Sequence, residues 1–275
     1  MERITEKSPA KINLFLKIIN KRKDGYHNLR SGITLVNLFD NIYVKKSRSF
    51  NINYIGKFAP SNNKFKDCII EKIFNKLEIK RPNYEFTIVK NIPVQSGLGS
   101  ASSNAAAVLR ILLRLKLIDY NKKIDYASLG SDIPLFLNQK DCLIRGRGEK
   151  IINKHFPKYY FLIVKPLTNC STKEIYRKIH IKDINFDQQN DINEFTNFDI
   201  GNDLEKIVFT ENIEVRNIFI FLKNIEGVIF TRMTGSGSSC FAAFGNLSSA
   251  KKAKSIFNNS FPKLWNFIAE NNINV

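Results

Sequence analysis

Residues 91–109 read Asn91-Ile92-Pro93-Val94-Gln95-Ser96-Gly97-Leu98-Gly99-Ser100-Ala101-Ser102-Ser103-Asn104-Ala105-Ala106-Ala107-Val108-Leu109. Just upstream, Tyr84-Glu85-Phe86-Thr87-Ile88-Val89 alternates in the manner of a strand. Downstream, the Ala-rich run continues through Leu112, Leu113 and Leu115 in a helical pattern. A loop of glycines and hydroxyls thus ends at a helix N-terminus, which offers unpaired backbone N–H groups and the positive end of a helix dipole. This loop reads as a phosphate cradle over Gly97, Leu98, Gly99, Ser100, Ala101, Ser102 and Ser103. It is neither of the commoner cradles. No Lys follows Gly99 at Walker spacing, and a dinucleotide fingerprint would need Gly where Ser102 stands. The competing reading is a plain helix cap at Ser102 or Ser103, but two glycines with four hydroxyls exceed what a cap requires.

The whole chain sets bounds on what surrounds that loop. Its 275 residues suffice for one large or two medium domains, and 43% hydrophobic with 25% charged residues is a globular composition. Cys68, Cys142, Cys170 and Cys240 are too few and scattered for a disulfide framework, and with three histidines no zinc spacing emerges. The start, Met1 to Lys7, has no apolar signal region, and no apolar run approaches the ~18 residues needed to span a bilayer. A cytoplasmic protein with no membrane partner is expected. The net charge of +18 would suit a nucleic-acid partner, anionic small molecules or solvated lysine faces. Its even spread along the chain favours the last, so no nucleic-acid partner is expected. The sequence says nothing of oligomeric state.

Taken in order, residues 8–20 alternate as a strand, which puts Lys11 and Asn13 on one face. Asp24-Gly25 signals a turn with Tyr26 and His27 just beyond it. Ile33–Phe39 and Asp40–Val44 read as two further strands, 45–66 as a short strand and loop, and 67–77 as an amphipathic helix. Asp132, two residues before Pro134, suits the N-cap of a short apolar helix. Cys142–Glu149 reads as a strand and glycine turn. The composition shifts near residue 150, and Tyr159–Val164 opens a second strand-led region. An Asp- and Asn-rich stretch over about 181–203 reads as loop with short helix. Val228–Phe244 reads as strand, Gly/Ser turn and strand. With no repeat and no long linker, an α+β protein of two closely packed halves, 1–150 and 151–275, is expected.

Three motifs in order, Ser8-Pro9-Ala10-Lys11-Ile12-Asn13-Leu14, the Pro93–Ala106 loop and Met233-Thr234-Gly235-Ser236-Gly237-Ser238-Ser239, resemble the GHMP kinase superfamily. Asp24-Gly25-Tyr26-His27, Gly130–Phe136, Gly146-Arg147-Gly148-Glu149 and Gly201-Asn202-Asp203-Leu204-Glu205 narrow the resemblance to the branch acting on 4-CDP-2-C-methyl-D-erythritol (CDP-methylerythritol). The resemblance is collinear over essentially the whole chain. It implies a two-domain GHMP kinase fold with an interdomain active site, an ATP and Mg2+ requirement, and transfer to the substrate's 2-hydroxyl. It implies Lys11 and Asp132 as the catalytic pair and Asn13 beside the reacting end of the substrate. Tyr26 and His27 would hold the cytosine, with Thr172 and Tyr176 on its other side, and Gly235, Ser236 and Gly237 would form an active-site loop. The resemblance leaves the Mg2+ ligands unidentified, with the hydroxyls of Ser102 and Ser103 as candidates.

Four positions depart from the family pattern. Ser100 and Ala101 stand where glycine is usual, so those positions should not require positive φ. Lys173 replaces a usual Pro, and Asp67 a usual Asn, which leaves the adenine contacts unassigned. Two alternatives follow: a GHMP kinase for another small alcohol, such as mevalonate or homoserine, and a non-catalytic basic RNA-binding module.

Overall fold

The computed structural model describes residues 3–61, 68–119, 124–179 and 200–273. Strands β1 (Ile4–Lys21) and β2 (His27–Lys46) form a long antiparallel hairpin. Its turn closes as expected at Asp24-Gly25: Gly25 sits at φ +84°, and the Tyr26 amide donates to the Asp24 carboxylate at 3.2 Å. The two strands expected over 33–44 are in fact one. The pairing skips Asn37 and Leu38 opposite Pro9/Ala10, a bulge that breaks the alternation read from sequence. That bulge aims Asn37 at the second sheet, where its Oδ1 accepts from the Glu270 amide at 2.8 Å.

The far edge of β2 is shared. Its first part pairs with β5 (Cys142–Gly146), which pairs in turn with β6 (Lys150–Asn153). Its second part pairs with β4 (Tyr84–Val89), and β3 (Asn51–Ile55) runs parallel to β4 at the edge. The expected division at residue 150 falls at the first residue of β6, whose pairing with β5 keeps it in this first sheet. The second sheet is antiparallel throughout, in the order β10 (Trp265–Glu270), β7 (Tyr160–Lys165), β9 (Cys240–Phe244), β8 (Phe230–Met233).

Helices α1 (Ile69–Lys76), α2 (Ser100–Arg114) and α4 (Ile133–Asn138) cover one face of the first sheet around a core that includes Ile42, Phe86, Ile88 and Phe136. The short α3 (Tyr126–Leu129) lies beside them. On the second sheet, α6 (Glu205–Glu211), α7 (Ile213–Lys223) and α8 (Leu247–Ser260) bury Val208, Ile218 and Phe257 against Leu162, Val164 and Ala242. Helix α5 (Thr172–Arg177) follows β7 and opens with a Ser171-to-Glu174 cap.

The remaining faces of the two sheets meet each other. Ala10, Ile12 and Leu14 of β1 pack with Phe161 and Ile163 of β7 and Phe241 of β9. Strand β7 therefore alternates between two cores, Phe161 and Ile163 inward to the first sheet, Leu162 and Val164 outward to the helices. That is why Tyr159–Val164 reads as a continuous apolar run. Each such side chain contributes about 1.5–3 kcal/mol on burial, which holds the two halves as one body. The loop after β4 and the loop after β8 come together at the rim of this shared core. Of the Asp- and Asn-rich stretch expected as loop with short helix, 181–199 lies outside the described residues, as does Asp67.

Candidate active site

Helix α2 begins at Gly99, which takes the left-handed conformation at φ +76° and supplies no side-chain cap. The expected competing caps, Ser102 and Ser103, lie inside the first turn instead. Gly97 has the same φ, and both glycines are forced by close approach as well. A Cβ on Gly97 would lie 2.2 Å from the Thr234 carbonyl oxygen, and one on Gly99 2.6 Å from Phe136 Cζ and 3.1 Å from Lys11 Cγ. The first closed helical bond runs from the Ser103 amide to the Gly99 carbonyl at 2.9 Å. The amides of Ser100, Ala101 and Ser102 precede it, at the positive end of a 15-residue helix. Ser100 and Ala101 are helical, so the two departures from the family's glycines carry no strain.

The hydroxyls divide by helical period, and the expectation for the Ser103 hydroxyl is corrected. Ser103 is fully buried, accepts from the Ser8 hydroxyl at 2.8 Å, and its amide is already engaged, so it is turned away from a bound phosphate. Ser100 turns inward too, donating to Asp40 Oδ2 at 2.9 Å, and keeps only its amide for a ligand. Leu98 is buried in the core between the sheets and acts through backbone alone, its carbonyl accepting from the Lys11 amide at 3.0 Å. Ser102 remains as the hydroxyl on the outer side.

Beneath the loop lies a group that reading the motifs did not bring out. Asp40, 0% exposed, accepts the amides of Asn91 at 2.7 Å and Ile92 at 2.9 Å, where the loop starts. It also accepts Ser100 and, at 3.0 Å, Asn104, where the loop ends, and it pairs with Lys90 Nζ. Lys90 in turn donates to Ser100 and, at 2.7 Å, to Asn104. One carboxylate thus closes both ends of the cradle. Burial pushes the Lys90 pKa down and Asp40 opposes that shift. The available signal was a lone Asp directly after Leu38-Phe39, with a Lys directly before Asn91.

On β1, Lys11 and Asn13 share a face as expected and are in contact: Lys11 Nζ donates to Asn13 Oδ1. Lys11 is 5% exposed. Its pKa is lowered by burial, while the Asp132 carboxylate pulls it back up. The Gly235–Ser239 loop closes over this pair. Thr234 Oγ1 accepts from the Asn13 amide at 3.2 Å and reaches Asn13 Oδ1 and the Gly97 carbonyl, each at 3.3 Å. A Cβ on Gly235 would meet Lys11 Nζ at 3.2 Å. The Ser239 amide donates to the Ser96 carbonyl at 3.1 Å, so the two Gly/Ser loops are bonded to each other.

Asp132 does occupy the N-cap position of α4, but its side chain makes no capping hydrogen bond. The carboxylate acts instead on Lys11 and on Tyr176, whose phenol pKa is raised by burial first and by Asp132 second. Residues from three separate motifs therefore converge on one place. Tyr176 lies with its ring centroid 5.7 Å from that of His27. His27 is 7% exposed, burial and then Lys21 lower its pKa, and its buried Nε2 has no hydrogen-bond partner among the described residues. Tyr26 is 56% exposed and carries the Arg147 guanidinium over its ring at 4.2 Å. Thr172 at the start of α5 shares a 2.7 Å hydrogen bond with Ser236, tying α5 to the Gly235–Ser239 loop.

The chain is similar over its length to proteins of one kinase family. Residues 63–137 match the description "GHMP kinases N terminal domain" and 186–263 match "GHMP kinases C terminal". The chain is 32% identical over 270 residues to the 4-diphosphocytidyl-2-C-methyl-D-erythritol kinase of Pelagibacter ubique (strain HTCC1062), covering 94% of this chain and 95% of that one. It belongs to this branch of the GHMP kinases. The kinase of the same name from Ehrlichia canis (strain Jake) is 34% identical, with 90% and 91% covered. In fold, the chain matches a crystal structure of 4-(cytidine 5'-diphospho)-2C-methyl-D-erythritol kinase with a TM-score of 0.78 at 24% identity, covering 98% of this chain and all of that one. It matches the mevalonate kinase of Methanococcus jannaschii with a TM-score of 0.64 at 16% identity, covering 99% of each. Among the described residues, no helix is long and apolar enough to cross a membrane.

Proposed function

We propose that this kinase transfers the γ-phosphoryl group of ATP to the 2-hydroxyl of CDP-methylerythritol. The relatives' names supply the acceptor. The observation that carries the reading is Lys11, in contact with Asn13, packed against Gly99 at the N-terminus of α2 and within reach of the Asp132 charge. Phosphoryl transfer proceeds through a loose transition state, so positioning and charge compensation supply most of the rate. The amides of Ser100, Ala101 and Ser102 would take phosphate oxygens, with Gly97 and Gly99 giving the close approach. Asp132 would accept or orient the hydroxyl proton, Lys11 would offset the charge gathering there, and Asn13 would position the acceptor.

Among the described residues, no three His, Cys, Asp or Glu side chains gather to hold a metal. Mg2+ would be carried chiefly by the nucleotide's phosphates and water, with Ser102 the outward-facing hydroxyl of the cradle, and it would neutralise phosphate charge. The orphaned Nε2 of His27 suits the polar edge of a cytosine, while Tyr26 and Tyr176 would flank its faces. In this reading, residues 1–150, extended through β6, form the ATP-binding half, and the remainder forms the C-terminal half. No nucleic-acid or membrane partner is needed, and a cytoplasmic location fits.

The deciding experiment measures ATP consumption with CDP-methylerythritol, mevalonate and homoserine as acceptors. Turnover is expected with the first alone. Consumption only with mevalonate or homoserine would overturn the acceptor while leaving a GHMP kinase.

A further inference from the structure

The Gly201–Glu205 segment contacts the site through backbone that none of the assigned site residues accounts for. It is bonded first to β1. Leu16 donates its amide to the Gly201 carbonyl at 3.0 Å, and the Asp203 amide donates to the Leu16 carbonyl at 2.9 Å. The Asp203 carboxylate accepts the Ile18 amide at 2.8 Å and pairs with Lys17 at 2.5 Å. The segment is therefore fixed to the strand that carries Lys11 and Asn13.

The side chains of Asn202 and Glu205 reach the other way. Asn202, 5% exposed, donates its side-chain NH2 to the Met233 carbonyl and to the Gly235 carbonyl, each at 2.8 Å. Its Oδ1 accepts from the Leu204 amide at 3.0 Å, so all three bonds agree on the orientation of the amide. Glu205 Oε1 accepts from the Met233 amide at 2.8 Å. Met233 is thus held at both its N–H and its C=O, and Gly235 two residues on is held at its C=O.

What lies between those anchors is Thr234, which touches Asn13 and Gly97, and Gly235, whose backbone approaches Lys11 Nζ. A displacement of a few tenths of an ångström there would reach the reacting pair directly, and positioning at this scale governs transfer rates.

We propose that Asn202 and Glu205 are positioning residues for phosphoryl transfer, clamping the backbone of Met233–Gly235 to β1 and so fixing that loop against Lys11 and Asn13. The proposal rests on the kinase reading above. It assigns a role to the Asn202–Glu205 motif and requires a donor at Asn202, since two carbonyl oxygens face that group. Glu205 needs only an acceptor oxygen of the same length.

The test compares Asn202→Asp, Asn202→Ser, Glu205→Gln and Glu205→Ala by steady-state kinetics, thermal melting and amide hydrogen exchange. Asn202→Asp sets a carboxylate against two carbonyls and should lower kcat about tenfold or more, with KM for CDP-methylerythritol within about threefold. Amides of 235–239 should exchange faster, while those at the core of α2 should not. Glu205→Ala should behave similarly, and Glu205→Gln should restore near-normal kcat because it still accepts from Met233. Should Asn202→Asp fail to fold, Asn202→Ser and the Glu205 pair carry the same comparison. Unchanged kcat in Asn202→Ser and Glu205→Ala would overturn the proposal. Activity that falls only in proportion to the folded fraction would overturn it too. The exchange measurement needs no acceptor, so it judges the clamp even if wild-type protein fails to phosphorylate CDP-methylerythritol.

Discussion

The imidazole of His27 and the phenol of Tyr176 lie with ring centroids 5.7 Å apart and planes tilted by 40°. One residue follows the β1–β2 turn and the other sits on α5, so this contact joins the two halves of the molecule at the proposed base site. Tyr26, next to His27, is by contrast exposed beneath Arg147. The three side chains should respond differently to truncation. Base stacking on an aromatic face is worth about 1–3 kcal/mol with little discrimination among bases. Tyr26→Ala and Tyr176→Ala are therefore expected to raise KM for CDP-methylerythritol about ten- to a hundredfold, and the exposed Tyr26 should lose no stability. His27→Ala should narrow the preference for the CDP substrate over a UDP analogue, because edge hydrogen bonds do the discriminating. Kinetics of the three variants with both analogues decide it. Unchanged KM in both Tyr variants removes the stacking pair from the account.

Lys11→Met and Asp132→Asn are each expected to lower kcat by about a hundredfold or more, the size associated with charge and proton handling in the transition state. The structure sharpens the Asp132 case. Its carboxylate caps nothing, so Asp132→Asn should melt within a degree or two of wild type. Near-normal turnover with an earlier melt would return Asp132 to a purely structural part.

Much of this site could be read from one sequence because its pieces are short-range. A glycine at positive φ, a strand alternation that puts Lys11 beside Asn13, and a Gly/Ser loop before an Ala-rich helix each leave a local pattern. The Ser103 hydroxyl turns away from its expected place because which hydroxyls face the ligand depends on where the helix starts. Gly99 rather than a serine sets that start, rotating Ser100 and Ser103 inward. Asp40 and Asn202 receive no role from the sequence for a different reason. Their partners lie 51 and 31 residues away in the bonds to Asn91 and Met233, so a local pattern can mark the residue but not what it bonds to. The bulge at Asn37 and Leu38 is likewise a matter of pairing, two extra residues of β2 between the partners of Pro9 and Ala10.

The phosphate loop offers a paired test of strain. Gly97→Ala places a methyl 2.2 Å from the Thr234 carbonyl at a left-handed φ, so the two loops must separate. Backbone strain of about 1–2 kcal/mol adds to that clash. A fall of several degrees in Tm and at least a tenfold loss of kcat are expected. Ala101→Gly, which restores the family's usual residue at a helical position, should leave kcat nearly unchanged and cost about 0.5–1 kcal/mol in stability. Retained activity in Gly97→Ala would show that the loops tolerate separation.

Glu205 gives a pH signature that the clamp can be followed by. Burial pushes its carboxyl from the usual 4.5 up to about 7, opposed by the Met233 amide and Arg232. Between those two values the folded protein holds a proton on Glu205 that the unfolded chain has released. Stability changes with pH in proportion to protons bound unfolded minus protons bound folded, which is negative in this window. The folded state should therefore lose stability as pH rises from about 4.5 to about 7, and this contribution should then level off. One pKa unit corresponds to about 1.4 kcal/mol, so the loss amounts to about 1–3 kcal/mol after allowing for partial exposure. Glu205→Gln cannot ionise yet keeps the oxygen that accepts from Met233, so its melting profile should lack this slope while kcat stays near normal. Thermal unfolding of both proteins at half-unit steps from pH 4.5 to 8 separates the Glu205 contribution from every other titrating group, since only the difference between the curves matters. Parallel curves across that range would mean that Glu205 is ionised in the folded protein throughout, and that the Met233 amide bonds to a carboxylate at every pH tested.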